Sequence, residues 1–252
     1  MTAPARERVR SAVLLAAGRG SRLRPHTDAV PKPLLPWRGR PSLDHLVDAL
    51  EGAGVRRIVL VTGHLAGAVD AWAERRAAAG ARARPSTVRQ ASLAGTADAL
   101  ETAVAAEPGL LTGRFALLAT DYLVGPDFVE DFLAFDATHG AGASVSLKRL
   151  GADGAGARSS VRFAGAEPAG DGDAGEVLEV VEKPAPGRAP SALGANLAFV
   201  LPPEVAGLAR EVRASARGER EVQSALNAWL GRGGRARGLL QPTPAEWTPG
   251  TA

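Results

Sequence analysis

Residues 10–23 read R-S-A-V-L-L-A-A-G-R-G-S-R-L, an apolar run that breaks at a pair of glycines. A short run of consecutive apolar residues closed by a turn signal fits a strand buried on both faces, the kind found in parallel sheets covered by helices. The next periodic segment is helical: within Pro41–Ala53, Leu43, Leu46, Val47 and Leu50 recur at three- and four-residue spacing. Strand, loop and helix make the opening unit, and the chain repeats it. R-R-I-V-L-V-T at Arg56–Thr62 predicts a second strand, Ala66–Ala79 a helix, Ala83–Arg89 a third strand, Gly95–Ala106 a helix, Phe115–Thr120 another buried strand and Phe128–His139 a helix. This alternation predicts an α/β fold with a doubly wound, mostly parallel sheet.

Beyond residue 142 the pattern changes. Ala143–Leu150 reads as a strand, but Gly151–Ala174 is rich in Gly, Ala, Asp and Ser, with one β-like piece at Ser160–Phe163, and Glu176–Val181 then alternates as a strand. An inserted β-hairpin with a flexible tip accounts for this better than a linker between domains. Ala195–Leu201 predicts a further strand, Pro203–Ala214 and Arg220–Leu230 predict helices, and Arg235–Leu240 a last strand. There is no internal repeat, so residues 1–252 are expected to form a single domain.

Composition removes several classes of function. The chain has no cysteine, which excludes a disulfide framework, a thiolate-held metal and a catalytic thiol. His26, His45, His64 and His139 lack the spacing that presents two imidazoles to one zinc ion. No apolar stretch approaches the roughly 20 residues that span a bilayer, and the N-terminal M-T-A-P-A-R-E-R has no apolar signal core, so no membrane association and a cytoplasmic location are expected. A formal charge of +3 and 4% aromatic residues give neither an electrostatic footprint nor stacking platforms for nucleic acid, which is not expected as a partner.

The loop after the first strand carries the chemistry. In L-L-A-A-G-R-G-S-R-L-R-P-H-T-D-A-V-P-K-P-L-L-P, Leu14–Pro36, Gly18 and Gly20 let backbone N–H groups approach phosphate oxygens. Arg22 supplies a guanidinium fork and Lys32, between two prolines, a point charge. A dinucleotide turn would need a third glycine where Leu23 stands, and a P-loop would need Gly-Lys-Ser/Thr before a helix. The string G-R-G-S-R-L-x-P-x-T-x-x-x-P-K-P-L-L-P instead resembles the signature of the sugar-phosphate nucleotidyltransferases, the nucleoside-diphosphate-sugar pyrophosphorylases. The likeness continues in order: Gln90 with Gly95, Thr96 and Ala97 is similar to the family's Q-x-x-x-x-G-T-A, Glu182-Lys183-Pro184 to its E-K-P, Gly194–Val200 to its N-A-G-I-Y-x-F strand and Gly218–Asn227 to its G-E-x-x-L-T-D-A-I-N helix.

The resemblance implies a Rossmann-like nucleotidyltransferase domain that joins a nucleoside triphosphate to a sugar 1-phosphate, or a related phosphorylated small molecule, and releases pyrophosphate. It implies that Arg22, Lys32 and Asp121 are catalytic, with Asp121 binding Mg²⁺, and that Leu15, Ala17, Gly18, Gly20, Gln90, Gly95 and Thr96 hold the nucleotide. It implies that Ser160, Glu182, Lys183 and Asn196 hold the acceptor. Read by itself, Asp121 at the end of a strand is also compatible with a helix N-cap. Phosphoryl transfer needs positioning and charge neutralisation more than acid–base chemistry, which suits a site without a catalytic histidine.

The sequence departs from the family pattern in three places. The usual W-x-D-x-G-T, whose aspartate is a second metal ligand, corresponds to Trp247-Thr248-Pro249-Gly250-Thr251, which has no aspartate, leaving Asp121 with the triphosphate oxygens or Glu246 as a substitute. Ser159-Ser160 stands in place of the usual Tyr-Gly before the hairpin strand, which would reshape the acceptor site. No left-handed β-helix domain with its second activity and hexapeptide-repeat trimer is expected, while a homo-oligomer of another kind stays open. Two alternatives follow from the departures: a cytidylyltransferase acting on a phosphonate or phosphocholine-type acceptor, and a non-catalytic nucleotide-sugar-binding protein.

Overall fold

A computed structural model describes residues 8–139, 142–151, 159–185, 187–215 and 218–250. The strands are β1 (Ser11–Ala16), β2 (Pro36–Trp37), β3 (Arg40–Pro41), β4 (Arg57–Thr62), β5 (Arg84–Arg89), β6 (Phe115–Ala119), β7 (Tyr122–Leu123), β8 (Ala143–Arg149), β9 (Ser160–Phe163), β10 (Ala174–Val181), β11 (Leu193–Leu201), β12 (Ala236–Leu240) and β13 (Ala245–Glu246). The helices are α1 (His26–Ala29), α2 (Ser42–Gly52), α3 (Ala66–Ala78), α4 (Thr96–Ala106), α5 (Pro126–His139), α6 (Pro203–Ala209) and α7 (Val222–Gly231).

The central sheet has nine strands in the order β5-β4-β1-β6-β11-β8-β12-β10-β9. The four strands from β5 to β6 are parallel to one another, as the alternation predicts. The second half is mixed. β11 runs antiparallel to both β6 and β8, β12 lies parallel to β8, and β10 is antiparallel to β12 and β9, so β11 and β10 alone oppose the other seven. The predicted hairpin is β9–β10, and it extends the edge of the main sheet instead of standing apart from it. Its tip is tied by Asp173, which accepts hydrogen bonds from the Ala169 and Gly170 amides at 3.2 and 2.7 Å.

The strand alternation sorts side chains into two cores. Val13, Val59, Val61, Phe115 and Leu117 pack with Leu100, Ala103, Val205, Val222 and Leu226 of α4, α6 and α7 on one face. Ala12, Leu14, Ile58, Leu60 and Leu118 pack with Leu43, Val47 and Leu50 of α2, Val69 and Trp72 of α3 and Phe132 of α5 on the other. Each Val, Leu, Ile or Phe side chain taken fully from water contributes about 1.5–3 kcal/mol, which sets the register of every strand, since a one-residue slip would exchange the faces. Among the described residues no helix is long and apolar enough to cross a membrane.

One predicted element is shorter than expected. The helix expected over Pro203–Ala214 ends at Ala209. Further along, Arg220 pairs with another loop: Arg220 N donates to Ala94 O at 2.7 Å and Ala97 N to Arg220 O at 2.9 Å.

Candidate active site

The glycine-rich loop leaves β1 at its C-terminal end, beside the C-terminal end of β6, the edge at which open α/β sheets take ligands. Gly20 has φ +61°, and a Cβ there would stand 2.9 Å from Thr27 Cγ2, so the turn requires glycine. Thr27 closes the loop by donating from Oγ1 to Gly20 O at 2.9 Å, and a ring nitrogen of His64 holds the Thr27 carbonyl at 3.2 Å. Gly18 is different: a Cβ there would meet no protein atom within 4 Å, so its smallness serves the open space beside it.

That space is a cleft of about 530 Å³. Leu15, Ala17, Gly18, Gly20, Gln90, Gly95 and Thr96 all line it, as do Arg22, Lys32 and Asp121. Arg22 is exposed at its edge. Lys32 Nζ donates to Asp121 Oδ2 at 3.1 Å, while Asp121 Oδ1 is buried and has no hydrogen-bond partner. Asp121 is not a helix N-cap: it precedes β7, and α5 begins only at Pro126. Thr120 next to it donates from Oγ1 to Leu15 O at 2.9 Å and locks the two strand ends together.

Gln90 is buried, and its Nε2 donates to Gly95 O at 3.2 Å and to Asp98 Oδ2 at 2.7 Å. Both amide hydrogens are thereby committed, which leaves Oε1 as the atom it can offer a ligand. Asp98 in turn takes Arg220 on its other oxygen at 2.5 Å, and Arg220 also reaches Glu101 at 3.0 Å. The hydrogen bond that Arg220 donates to Asp98, with the one it donates to Glu101, holds its guanidinium above its already high ordinary pKa against a smaller opposing effect of burial. Gly95 has φ +108°, and a Cβ there would overlap the Arg220 backbone, so residues 94–98 and 220–222 are welded at this point. Thr96 Oγ1 donates to Glu221 Oε2 at 3.0 Å and accepts from Val222 N at 2.8 Å across the same seam.

A second pocket of about 300 Å³ adjoins the cleft; Gly95, Thr96, Leu197 and Glu219 line both. Glu182 and Lys183 line it as expected, with Lys183 at φ +46° and its Nζ 4.0 Å from Glu182 Oε1. Two expected acceptor residues are not there. Ser160 is fully buried and bonded to Ser191, and it is Ser159 that lines the pocket. Asn196 is fully buried in β11 with its Nδ2 on Ser146 Oγ at 2.9 Å, whereas its neighbours Ala195 and Leu197 line the pocket. Both corrections have one cause: side chains alternate across a strand, and a motif match does not fix which parity faces the ligand.

The sequence reading also missed Tyr122, Lys148, Glu219, Glu221 and Gln223 of this pocket. Lys148 is 3% exposed, donates to Tyr122 Oη at 3.2 Å and lies over the Tyr122 ring at 5.0 Å. A buried lysine on a predicted strand was the one available signal, because lysine is seldom buried without a function or a partner. Of the departures, Glu246 is exposed on β13 opposite Tyr122 and does not line the cleft; Thr251 lies outside the described residues. Trp247 is buried and donates its indole N–H to Pro36 O at 2.7 Å, anchoring the loop that carries Lys32. Among the described residues there is no cluster of three or more His, Asp or Glu able to hold a metal by protein atoms alone.

A family model described as nucleotidyl transferase matches residues 11–243. Over 238 residues, 90% of this chain and 70% of that protein, the sequence is 32% identical to glucose-1-phosphate thymidylyltransferase of Actinoplanes sp.. A shorter stretch of 58 residues, 23% of this chain and only 9% of that protein, is 55% identical to CMP-5'-(3-aminopropyl)phosphonate synthase of Streptomyces rubellomurinus. Among solved structures, UDP-glucose pyrophosphorylase complexed with UDP-glucose superposes with a TM-score of 0.80 over 95% of this chain and 92% of that one, at 21% identity. At that identity the likeness is one of fold.

Proposed function

The chain belongs to the nucleotidyl transferase family, and from that premise we propose that it couples a nucleoside triphosphate to a sugar 1-phosphate, or a related phosphorylated acceptor, in the cytoplasm. An acceptor phosphate oxygen attacks the α-phosphorus, a new P–O bond forms, and the bond from the α-phosphorus to the bridging oxygen breaks as pyrophosphate leaves with its electron pair. The nucleophile is already anionic at neutral pH, so the protein's part is to align the reactants and neutralise charge. Arg22 and Lys32 serve that end, Gly18 and Gly20 admit the phosphates to the backbone, and Gln90 Oε1 accepts from an N–H of the base.

The observation that carries the reading is the meeting of Lys32 and Asp121 in one cleft, although they lie 89 residues apart in sequence. The unpartnered buried Oδ1 of Asp121 fits a hard cation. Asp121 together with the triphosphate would hold Mg²⁺, which when bound would neutralise charge on the phosphates. One carboxylate plus substrate oxygens is enough for Mg²⁺, which keeps several waters.

A second reading, cytidylyl transfer to a phosphonate, is supported by the 58-residue stretch shared with the Streptomyces enzyme. The test for both is pyrophosphate release from each of five nucleoside triphosphates, with Mg²⁺, against a panel of sugar 1-phosphates and phosphonates. Release with one base and one acceptor class identifies the reaction. Binding of a nucleotide sugar without release from any combination would make the protein a non-catalytic binder and overturn the proposal.

A further inference from the structure

Lys183 is held in a conformation that its own side chain disfavours. Its φ is +46°, in the left-handed region where a Cβ crowds the following carbonyl oxygen, and a residue that precedes proline, as Lys183 precedes Pro184, is ordinarily extended. A residue keeps such a backbone only where the surrounding structure imposes it. On the far side the chain is fixed by Pro184, which is buried.

On the near side the segment is braced by α7. β10 pairs with β12 over Ala174–Val177. At Val180, past that pairing, the amide of Asn227 takes both backbone groups: Val180 N donates to Asn227 Oδ1 at 2.9 Å, and Asn227 Nδ2 donates to Val180 O at 2.9 Å. With one donor and one acceptor, the side-chain amide stands in for the peptide group of a neighbouring strand. One turn earlier on the same face of the helix, Gln223 Nε2 donates to Glu182 Oε2 at 3.0 Å. The helix is itself tied to the nucleotide side at its first residue, where Val222 N donates to Thr96 Oγ1 at 2.8 Å.

We propose that Asn227 and Gln223 are positioning residues for the acceptor: by fixing Val180 and Glu182 they hold Lys183 in its left-handed conformation on the wall of the second pocket. Asn227 lines neither pocket, so it acts through the braced segment alone. That Lys183 meets the acceptor rests on the nucleotidyl-transfer reading above; the brace does not.

Stability measurements test the brace without any substrate. In the full-length protein, Lys183→Gly and Lys183→Ala both remove the ammonium and differ in the Cβ that a left-handed residue disfavours. With the brace intact, the glycine variant is expected to have the higher urea midpoint. In the Asn227→Ala background residue 183 is released, and the order is expected to vanish or reverse, since alanine is the better residue at ordinary φ. The same order and the same gap in both backgrounds would overturn the brace. Gln223→Met serves as a second background and decides the comparison should Asn227→Ala not fold.

Kinetics test the positioning role. With the nucleotide and acceptor that release pyrophosphate, Asn227→Ala and Gln223→Met are each expected to raise KM for the acceptor about tenfold, the effect of a misplaced contact, while KM for the nucleotide stays within about twofold. Equal rises in both constants would mark general damage and overturn the role, as would unchanged constants in folded variants. If no combination releases pyrophosphate, the nucleotidyl-transfer reading fails, and the order of the Lys183→Gly and Lys183→Ala midpoints still decides the brace.

Discussion

The two halves of the sheet handle their ligands in opposite ways. From β5 to β6 the strands are parallel, the site residues stand on loops just past the strand ends, and neighbouring motifs in sequence are neighbours in space. From β11 to β9 the sheet is mixed, and the pocket is assembled from single residues on β7, β8, β11 and α7 and from the segments around Ser159, Glu182 and Glu219. On the proposed function, the first half would recognise something common to all nucleoside triphosphates and would use a contiguous loop for it. The second would recognise whatever distinguishes one acceptor from another, and residues drawn from many elements would let that pocket change one side chain at a time without disturbing the fold.

The sharpest break in this comparison comes from Lys32 and Asp121, which line the first cleft alone. Lys32→Ala, or Asp121→Asn, is expected to lower the rate of pyrophosphate release by about 10²–10³-fold, on the order of 3 kcal/mol of transition-state stabilisation, with the far-UV spectrum and unfolding midpoint unchanged. A rate within twofold of wild type in both would remove these residues from the chemistry.

The seam between the halves comes next. Gly95→Ala forces a Cβ onto the Arg220 backbone at φ +108° and is expected to lose more than about 2 kcal/mol of stability by urea unfolding. Gly18→Ala, which meets no protein atom, is expected to keep its stability and instead weaken nucleotide binding. If both glycines behaved alike, the distinction between a structural and a ligand-facing glycine would be lost.

A smaller effect separates the two pockets. Asp98→Asn loosens the clamp on the Gln90 amide and is expected to raise KM for the nucleotide about tenfold, the equivalent of roughly 1.4 kcal/mol, with KM for the acceptor unchanged. A parallel change in both constants would show that the seam, and not the base contact, had moved.

The smallest expected effect lies away from both sites. Burial tends to raise the Asp48 carboxyl, but the hydrogen bonds from Arg76 and Arg40 outweigh it and hold the group below its ordinary value. A depressed folded pKa contributes stability above the unfolded value of about 4, and that contribution is lost as pH falls through the lower folded value. Half-exposed as the group is, Asp48→Asn is expected to cost only some tenths of a kcal/mol at pH 7 and less at pH 2.5, by urea midpoints at the two pH values, with activity unaltered.

The strands were legible in the sequence, because burial on both faces leaves unbroken apolar runs such as Ala12–Ala16, and so was the glycine-rich cationic loop, because Gly18, Gly20, Arg22 and Lys32 lie close together in the chain and their conformations are set locally. Lys32 and Asp121 could be named from their motifs alone. It took the folded chain to show that Ser159 and not Ser160 lines the second pocket, that Asn196 is buried away from it, and that Asp98 and Arg220 clamp Gln90. The reason is physical: strand parity, the mixed order of the second half-sheet and the contact between residues 94–98 and 220–222 are fixed by burial shared among distant segments, and no local stretch of sequence carries that information.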